Sequence, residues 1–142
     1  MRAALVVLVL CGGCLDDIGP NVGAPVAELC ANGAARSSTV SFARDIQPIF
    51  DARCKACHYP NGIAPIGLQV TGLNLSTYQT VISGAIAGPV VIPDEPCSSI
   101  LYLKVTPGPP FGSRMPLNGP PFLTDGDIQL IHDWIAEGAL AN

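Results

Sequence analysis

Apolar residues recur at helical spacing from residue 41 onward, and this pattern predicts a series of short helices. Phe42, Ile46 and Ile49 lie three or four residues apart, so they share one face of a helix. The pattern predicts a helix of about two turns from near Asp45 into Cys54.

Capping sequences predict two further short helices. Residues 76–79 form a capping-box arrangement ahead of apolar positions, and Gly84 then ends the helix. Ser98 or Ser99 caps the next helix, which continues through Leu103.

The clearest helical pattern is near the C-terminus. Residues 124–127 offer a capping box, after which Ile128, Ile131 and Trp134 line one face until Gly138. The chain thus predicts a mostly α fold, a small domain of about four short helices joined by long Pro- and Gly-rich loops.

The N-terminus differs from this pattern. Residues 3–10 form a short apolar stretch behind Arg2, too short to cross a bilayer but suited to a secretory signal. Two glycines before Cys14 resemble the end of a bacterial lipobox, which predicts lipidation at Cys14, with ordinary signal cleavage nearby as the alternative. Either version exports the protein to the periplasm or cell envelope.

The domain boundaries follow from periodicity. We expect a signal peptide over residues 1–14, a flexible tether over residues 15–40 with neither helical nor strand periodicity, and one domain over residues 41–142. Fourteen prolines and fifteen glycines exclude long helices and large sheets. Seven basic residues against eleven acidic ones exclude a nucleic-acid surface. The same acidic excess disfavours attraction to anionic lipids, so we expect any membrane contact to come from the N-terminal lipid.

The chemistry of the chain is concentrated in one motif. Cys54, Cys57 and the adjacent His58 form the attachment sequence of c-type haem, in which two thiols add to the vinyl groups and the imidazole binds iron. The spacing places both thiols on one side of a helical turn. The sequence therefore predicts one covalent haem c, held at Cys54, Cys57 and His58.

Three other interpretations of this motif stay open. A zinc site needs further ligands, for which Cys30, Cys97 and His132 remain, without metal-ligand spacing. A thioredoxin-like redox motif needs a βαβ context that the pattern lacks. A plain disulfide between Cys54 and Cys57 leaves the histidine unexplained.

A second axial ligand is predicted at Met115, the only methionine besides the initiator. It lies in an irregular Pro-rich loop, and its thioether suits a low-spin iron, although a lone methionine also fills core gaps. His132, in the last predicted helix, is interpreted as a surface or packing histidine rather than the ligand. Arg114 is a candidate for contact with a haem propionate, or else a solvated surface residue.

The imidazole of His58 also needs a partner for its second nitrogen. We expect a backbone carbonyl in residues 59–65 to accept its N–H, with Pro65 as one source.

Several segments in a fixed order resemble one family. These segments are Ser41–Phe50, the Cys54–His58 motif, Gly72–Leu75, Gly88–Pro93, Ser99–Tyr102, Arg114–Pro116 and Trp134–Ala139. The order looks like that of the planctomycete-type cytochrome c domain over about residues 41–140. The resemblance implies a mono-haem, mostly helical cytochrome c-like fold in which His58 and Met115 are the axial pair.

Cys97 departs from the family pattern, and it fits a count of the cysteines. Of the six cysteines, Cys11 leaves with the signal peptide, Cys14 is assigned to the lipid and two are assigned to the haem, so Cys30 and Cys97 remain. An oxidising compartment favours a disulfide between them, with two independent buried thiols as the alternative.

The predicted function is a single-electron carrier that cycles between Fe(II) and Fe(III), has no enzymatic activity and serves unidentified redox proteins. The first alternative is a haem protein with a displaceable sixth ligand, either a peroxidase or a sensor of gas or redox state. A structural envelope domain that uses haem as its core is the second.

Overall fold

The computed structural model describes Cys30 and residues 39–142. In this part of the chain, all helices are short except the last, and no β-strand forms beyond one isolated bridge between Ala85 and Gly88. The predicted signal segment, Cys14 and most of the tether lie outside the described residues.

Six α-helices form in the described residues. They are α1 (Gln47–Arg53), α2 (Lys55–His58), α3 (Ile66–Thr71), α4 (Tyr78–Ser83), α5 (Ile100–Val105) and α6 (Asp125–Ala136). A π-helical segment, Phe42–Ile46, precedes α1, and a 3₁₀ turn, Pro96–Ser98, precedes α5. None of these helices is long and apolar enough to cross a membrane.

The mostly α prediction is confirmed, and the capping box predicted at residues 124–127 forms, whereas Ser99 precedes α5 without a side-chain capping bond. Thr124 accepts from the backbone N–H of Asp127, whose side chain accepts from Thr124 in return. The same reciprocal box starts α4, but Thr77 pairs with Thr80 rather than within residues 76–79. Each box satisfies backbone N–H groups that have no partner inside the helix.

The helix α3 was not expected from the pattern, and the predicted turn of the Cys54–His58 motif forms a separate short helix, α2. The helix α2 is a single turn, and α3 exposes Ile66 and Val70, so neither has the apolar face that marks a buried helix. The helix α3 ends at Gly72, whose φ of 69° lies in the left-handed region.

The core forms where the N-terminal part of the domain meets its C-terminal helix. The Phe42 ring lies 5.4 Å from Trp134 and 5.3 Å from Tyr78, measured between centroids. The Trp134 indole is fully buried and donates to the Leu140 carbonyl at 3.0 Å. The backbone N–H of Ala43 donates to the carbonyl of the last residue at 3.0 Å. These contacts join the π-helical segment to α4, to α6 and to the residues that follow α6.

A disulfide joins Cys30 to Cys97 across a sequence separation of 67 residues. These are the two cysteines left over in the sequence, and both pack against the core. Cys97 lies in the 3₁₀ turn ahead of α5, where the buried Ser99 hydroxyl donates to the Glu95 carbonyl at 2.9 Å. The disulfide therefore fastens residue 30 to an ordered corner of the domain.

Candidate functional site

The attachment motif forms one helical turn at the junction of α1 and α2. Cys54 caps the end of α1, and its carbonyl accepts from the N–H of Cys57 at 3.1 Å and of His58 at 2.9 Å. The Cys57 side chain is exposed and the Cys54 side chain is half-buried. Because the three residues share one turn, both thiols and the imidazole leave the backbone close together.

The imidazole of His58 is held by a backbone carbonyl, but not by the one expected. Its Nδ1 lies 3.2 Å from the Leu73 carbonyl oxygen, and the N–H of Leu75 donates to the His58 carbonyl at 3.1 Å. The expectation that residues 59–65 supply this carbonyl was wrong. That loop folds back on α2 instead, where the Ala64 N–H donates to Ala56 at 3.0 Å.

The Leu73 carbonyl sets the tautomer of His58. A carbonyl oxygen only accepts, so Nδ1 carries the proton and Nε2 presents a lone pair. Burial lowers the pKa of His58, and the hydrogen bond to Leu73 partly opposes this effect. The imidazole is therefore kept in the neutral form, which is the form that binds a metal ion.

Gly67 in α3 lies directly against the free edge of this imidazole. A Cβ at Gly67 would lie 2.6 Å from both Cε1 and Nε2 of His58, and 3.0 Å from the Cys57 carbonyl oxygen. Any side chain at this position would press on Nε2. The absence of one lets α3 pack this closely against the imidazole.

The two thiols differ in environment. Burial raises the pKa of Cys54 to about 12, against a smaller opposing effect of Arg53 and a smaller supporting one of Cys57. At neutral pH Cys54 is therefore a thiol.

The other candidate zinc ligands are engaged elsewhere. Cys30 and Cys97 are joined to each other. His132 is buried in α6, where its Nδ1 lies 2.9 Å from Asp133 and its ring packs edge-on against Tyr102. His132 is thus a packing histidine, and no group of three or more potential metal ligands occurs in residues 39–142.

The loop that carries Met115 is anchored to the end of α5. The N–H of Met115 donates to the Lys104 carbonyl at 2.8 Å, and Lys104 Nζ donates to the carbonyls of Phe111 at 2.7 Å and Ser113 at 2.6 Å. The Met115 side chain is partly buried against the core. Lys104 of α5 therefore holds the main chain on the N-terminal side of Met115.

Arg114 and Arg53 connect this loop to the attachment motif through Phe122. The Arg114 guanidinium lies 4.4 Å from the Phe122 ring centroid, and its Nε donates to the Val105 carbonyl at 2.8 Å. Arg53, the residue before Cys54, donates to the carbonyls of Pro121 and Phe122. Arg53, next to Cys54, and Arg114, next to Met115, thus both contact Phe122.

The terminal nitrogens of Arg114 make no hydrogen bond to the described residues. They are therefore free to pair with a carboxylate, as the sequence prediction of a propionate contact requires. That contact stays a prediction.

Three residues of the site were missed by sequence reasoning. Leu73 and Gly67 act through the backbone, which no side-chain motif reports, and Lys104 acts on a loop that has no periodicity. The Gly72–Leu75 segment was noted only as part of the family pattern, and its position 15 residues after His58 was not connected with the imidazole.

Comparisons of the chain with protein-family models, curated proteins and solved structures return no match. The family resemblance drawn from the order of the motifs therefore stays a prediction.

Proposed function

We propose that this chain is an exported mono-haem c-type cytochrome that carries single electrons. In this proposal Cys54 and Cys57 would bond to the porphyrin, and His58 and Met115 would bind the iron. The observation that carries the proposal is the state of His58, which lies on the same turn as two free cysteines with Nδ1 held by Leu73 and Nε2 facing a glycine.

The donor set fits the group. Two cysteines on one turn match two thioether bonds, and a neutral imidazole with its second nitrogen hydrogen-bonded is the usual ligand form. Because residue 67 is a glycine, no side chain of α3 crowds Nε2. Cys30, Cys97 and His132 are committed elsewhere, so they do not join the motif in a zinc site.

When bound, the haem supplies one-electron chemistry by cycling between Fe(II) and Fe(III). The residues of the chain hold the two ligands in nearly the same place in both oxidation states. Leu73 fixes the plane of the His58 ring, and Lys104 fixes the main chain beside Met115. Little rearrangement then opposes electron transfer. A thioether ligand and apolar surroundings also raise the reduction potential relative to two histidine ligands.

The cellular setting is part of the proposal. The sequence favours export to the periplasm or cell envelope with a lipid at Cys14, and unidentified redox proteins as partners. Mass spectrometry of the mature N-terminus tests the anchor, because an unacylated α-amino group at that position would remove it.

Covalent attachment is tested on protein purified from cells that mature c-type cytochromes. We expect a coloured protein whose pigment stays with the polypeptide in acidified acetone. Cys54→Ala and Cys57→Ala each lose one bond to the pigment, whereas Cys97→Ser removes a cysteine outside the motif and retains the pigment. A colourless wild-type protein, or pigment that extracts freely, contradicts the proposal.

The sixth ligand is tested separately. Oxidised wild-type protein should show the weak charge-transfer band near the red edge of the spectrum that reports methionine–iron ligation. Met115→Ala should lose this band and lower the reduction potential. If the spectrum and potential of Met115→Ala equal those of the wild type, Met115 is not the ligand. A vacant or displaceable sixth position would then favour the peroxidase or sensor alternative.

A further inference from the structure

Lys104 contacts the loop that carries Met115 through its side chain as well as through its carbonyl. Its ammonium lies in the turn around Gly112, where it donates to the carbonyls on either side of that glycine. Gly112 has a φ of 59°, and a Cβ there would lie 3.5 Å from Lys104 Nζ. Nζ also lies 4.9 Å from the Phe111 ring centroid. The ammonium is therefore held against the turn of the loop in a position that solvent still reaches.

The loop needs a hydrogen-bond donor from outside because it has few backbone N–H groups of its own. Residues 106–118 contain four prolines, at positions 107, 109, 110 and 116, none of which has a backbone N–H. A segment of this composition cannot form a hydrogen-bonded ladder or helix with itself. Its carbonyls must find donors elsewhere, and Lys104 supplies two hydrogen bonds to the three residues that precede Arg114.

The contact is reciprocal. Lys104 reaches from α5 to the loop, while Arg114 reaches from the loop to the Val105 carbonyl at the end of α5. The Met115 N–H donates to Lys104 itself. Met115 is thus held at the point where the two segments are joined in both directions.

We propose that Lys104 is a positioning residue that determines how firmly Met115 is held on the iron, and thereby how readily an external ligand displaces it. This inference rests on the proposed function. Lys104 does not touch the iron, and it acts by keeping the loop closed.

The consequence follows from a thermodynamic cycle. An external ligand must displace Met115, and the hydrogen bonds of Lys104 to the loop are present only while the loop is closed. Removing them destabilises the closed state, so the affinity for the external ligand rises by the same factor.

The experiment uses the full-length haem protein and imidazole as the probe, titrated by the change in absorption of the oxidised form. Lys104→Gln should bind imidazole about tenfold more tightly, which corresponds to the loss of about 1.4 kcal/mol from two hydrogen bonds made by a charged donor. Lys104→Arg keeps a charged donor and should return most of the wild-type affinity. Arg44→Gln removes the same charge from an exposed pair away from the loop and should leave the affinity unchanged.

Hydrogen exchange supplies a readout that is independent of ligand binding. The amide of Met115 should exchange faster in Lys104→Gln, while that of Trp134 in the core should not. Gly112→Ala perturbs the same turn with Lys104 in place, because alanine is strained at positive φ, and it should raise imidazole affinity a few fold. This variant also tests the inference if Lys104→Gln does not fold.

The outcomes separate the two proposals. If the haem is attached and the wild type shows methionine ligation, but the variants at positions 104 and 112 bind imidazole as the wild type does, the positioning role is wrong and the proposed function stands. A protein without covalent haem overturns both. Faster exchange at Met115 together with tighter imidazole binding supports the inference.

Discussion

The close approach of Gly67 to the imidazole of His58 gives the sharpest test of the site. In Gly67→Ala, the new methyl carbon would lie 2.6 Å from Cε1 and Nε2 of His58, whereas carbon atoms pack best at about 3.5–4.0 Å. The overlap is therefore about 1 Å. It cannot be relieved along the helix, because the same carbon would lie 3.0 Å from the Cys57 carbonyl oxygen.

Two effects of this substitution have opposite signs. Replacing glycine by alanine inside a helix stabilises by about 0.5–1 kcal/mol, since glycine loses more conformational entropy on folding. Overpacking costs about 1–3 kcal/mol. We expect the overlap to prevail, with a net loss of about 1–2 kcal/mol in the free energy of unfolding and a fall in Tm of about 5–10 °C for a domain of this size.

Thermal unfolding followed by circular dichroism measures this loss, with Gly126→Ala as the matched control. Gly126 lies in α6, and a Cβ there would be 3.7 Å from its nearest neighbour, Thr124 Oγ1, so alanine should leave the Tm unchanged or raise it. In the haem protein, Gly67→Ala should also shift the absorption spectrum, because the methyl group presses on the coordinating nitrogen. Gly67→Ala with a wild-type Tm and spectrum would refute the packing of α3 against the imidazole.

Three further predictions concern single groups. Before haem attachment, iodoacetamide should label Cys57 well before Cys54, because Cys57 is exposed and burial raises the pKa of Cys54 to about 12. Peptide mass spectrometry measures the order of labelling, and equal labelling rates would contradict the prediction. Cys97→Ser should lower the free energy of unfolding by about 2–4 kcal/mol in denaturant titrations, and reductant should then have no further effect on the variant. The neighbouring guanidinium and then a backbone N–H lower the pKa of Asp45 from its ordinary 3.8, so its stabilising effect should be complete above about pH 5 and fade as the pH falls through the lowered pKa. Asp45→Asn should therefore flatten the acid limb of the pH–stability curve, and an unchanged limb would remove this carboxylate from the explanation.

Local sequence was enough to predict the attachment turn and most of the helices. Two cysteines and a histidine within five residues point to one side once the segment is helical, as it is here, because a helical turn repeats about every four residues. The caps at Thr77 and Thr124 likewise depend on residues three positions apart. The short helix α3 was missed, since its apolar residues face solvent and give no amphipathic pattern.

The partners of the site residues were decided only by the tertiary structure. The carbonyl that holds His58 comes from Leu73, and the donor that orders the loop before Met115 is Lys104. Each bond joins segments across irregular chain, where neither periodicity nor a motif indicates which groups meet. The sequence by itself therefore determined which side chains are the candidates for holding haem, because their spacing along the chain places them on one helical turn. The folded chain alone decided how those side chains are oriented, since backbone groups brought together by packing supply the hydrogen bonds that hold them.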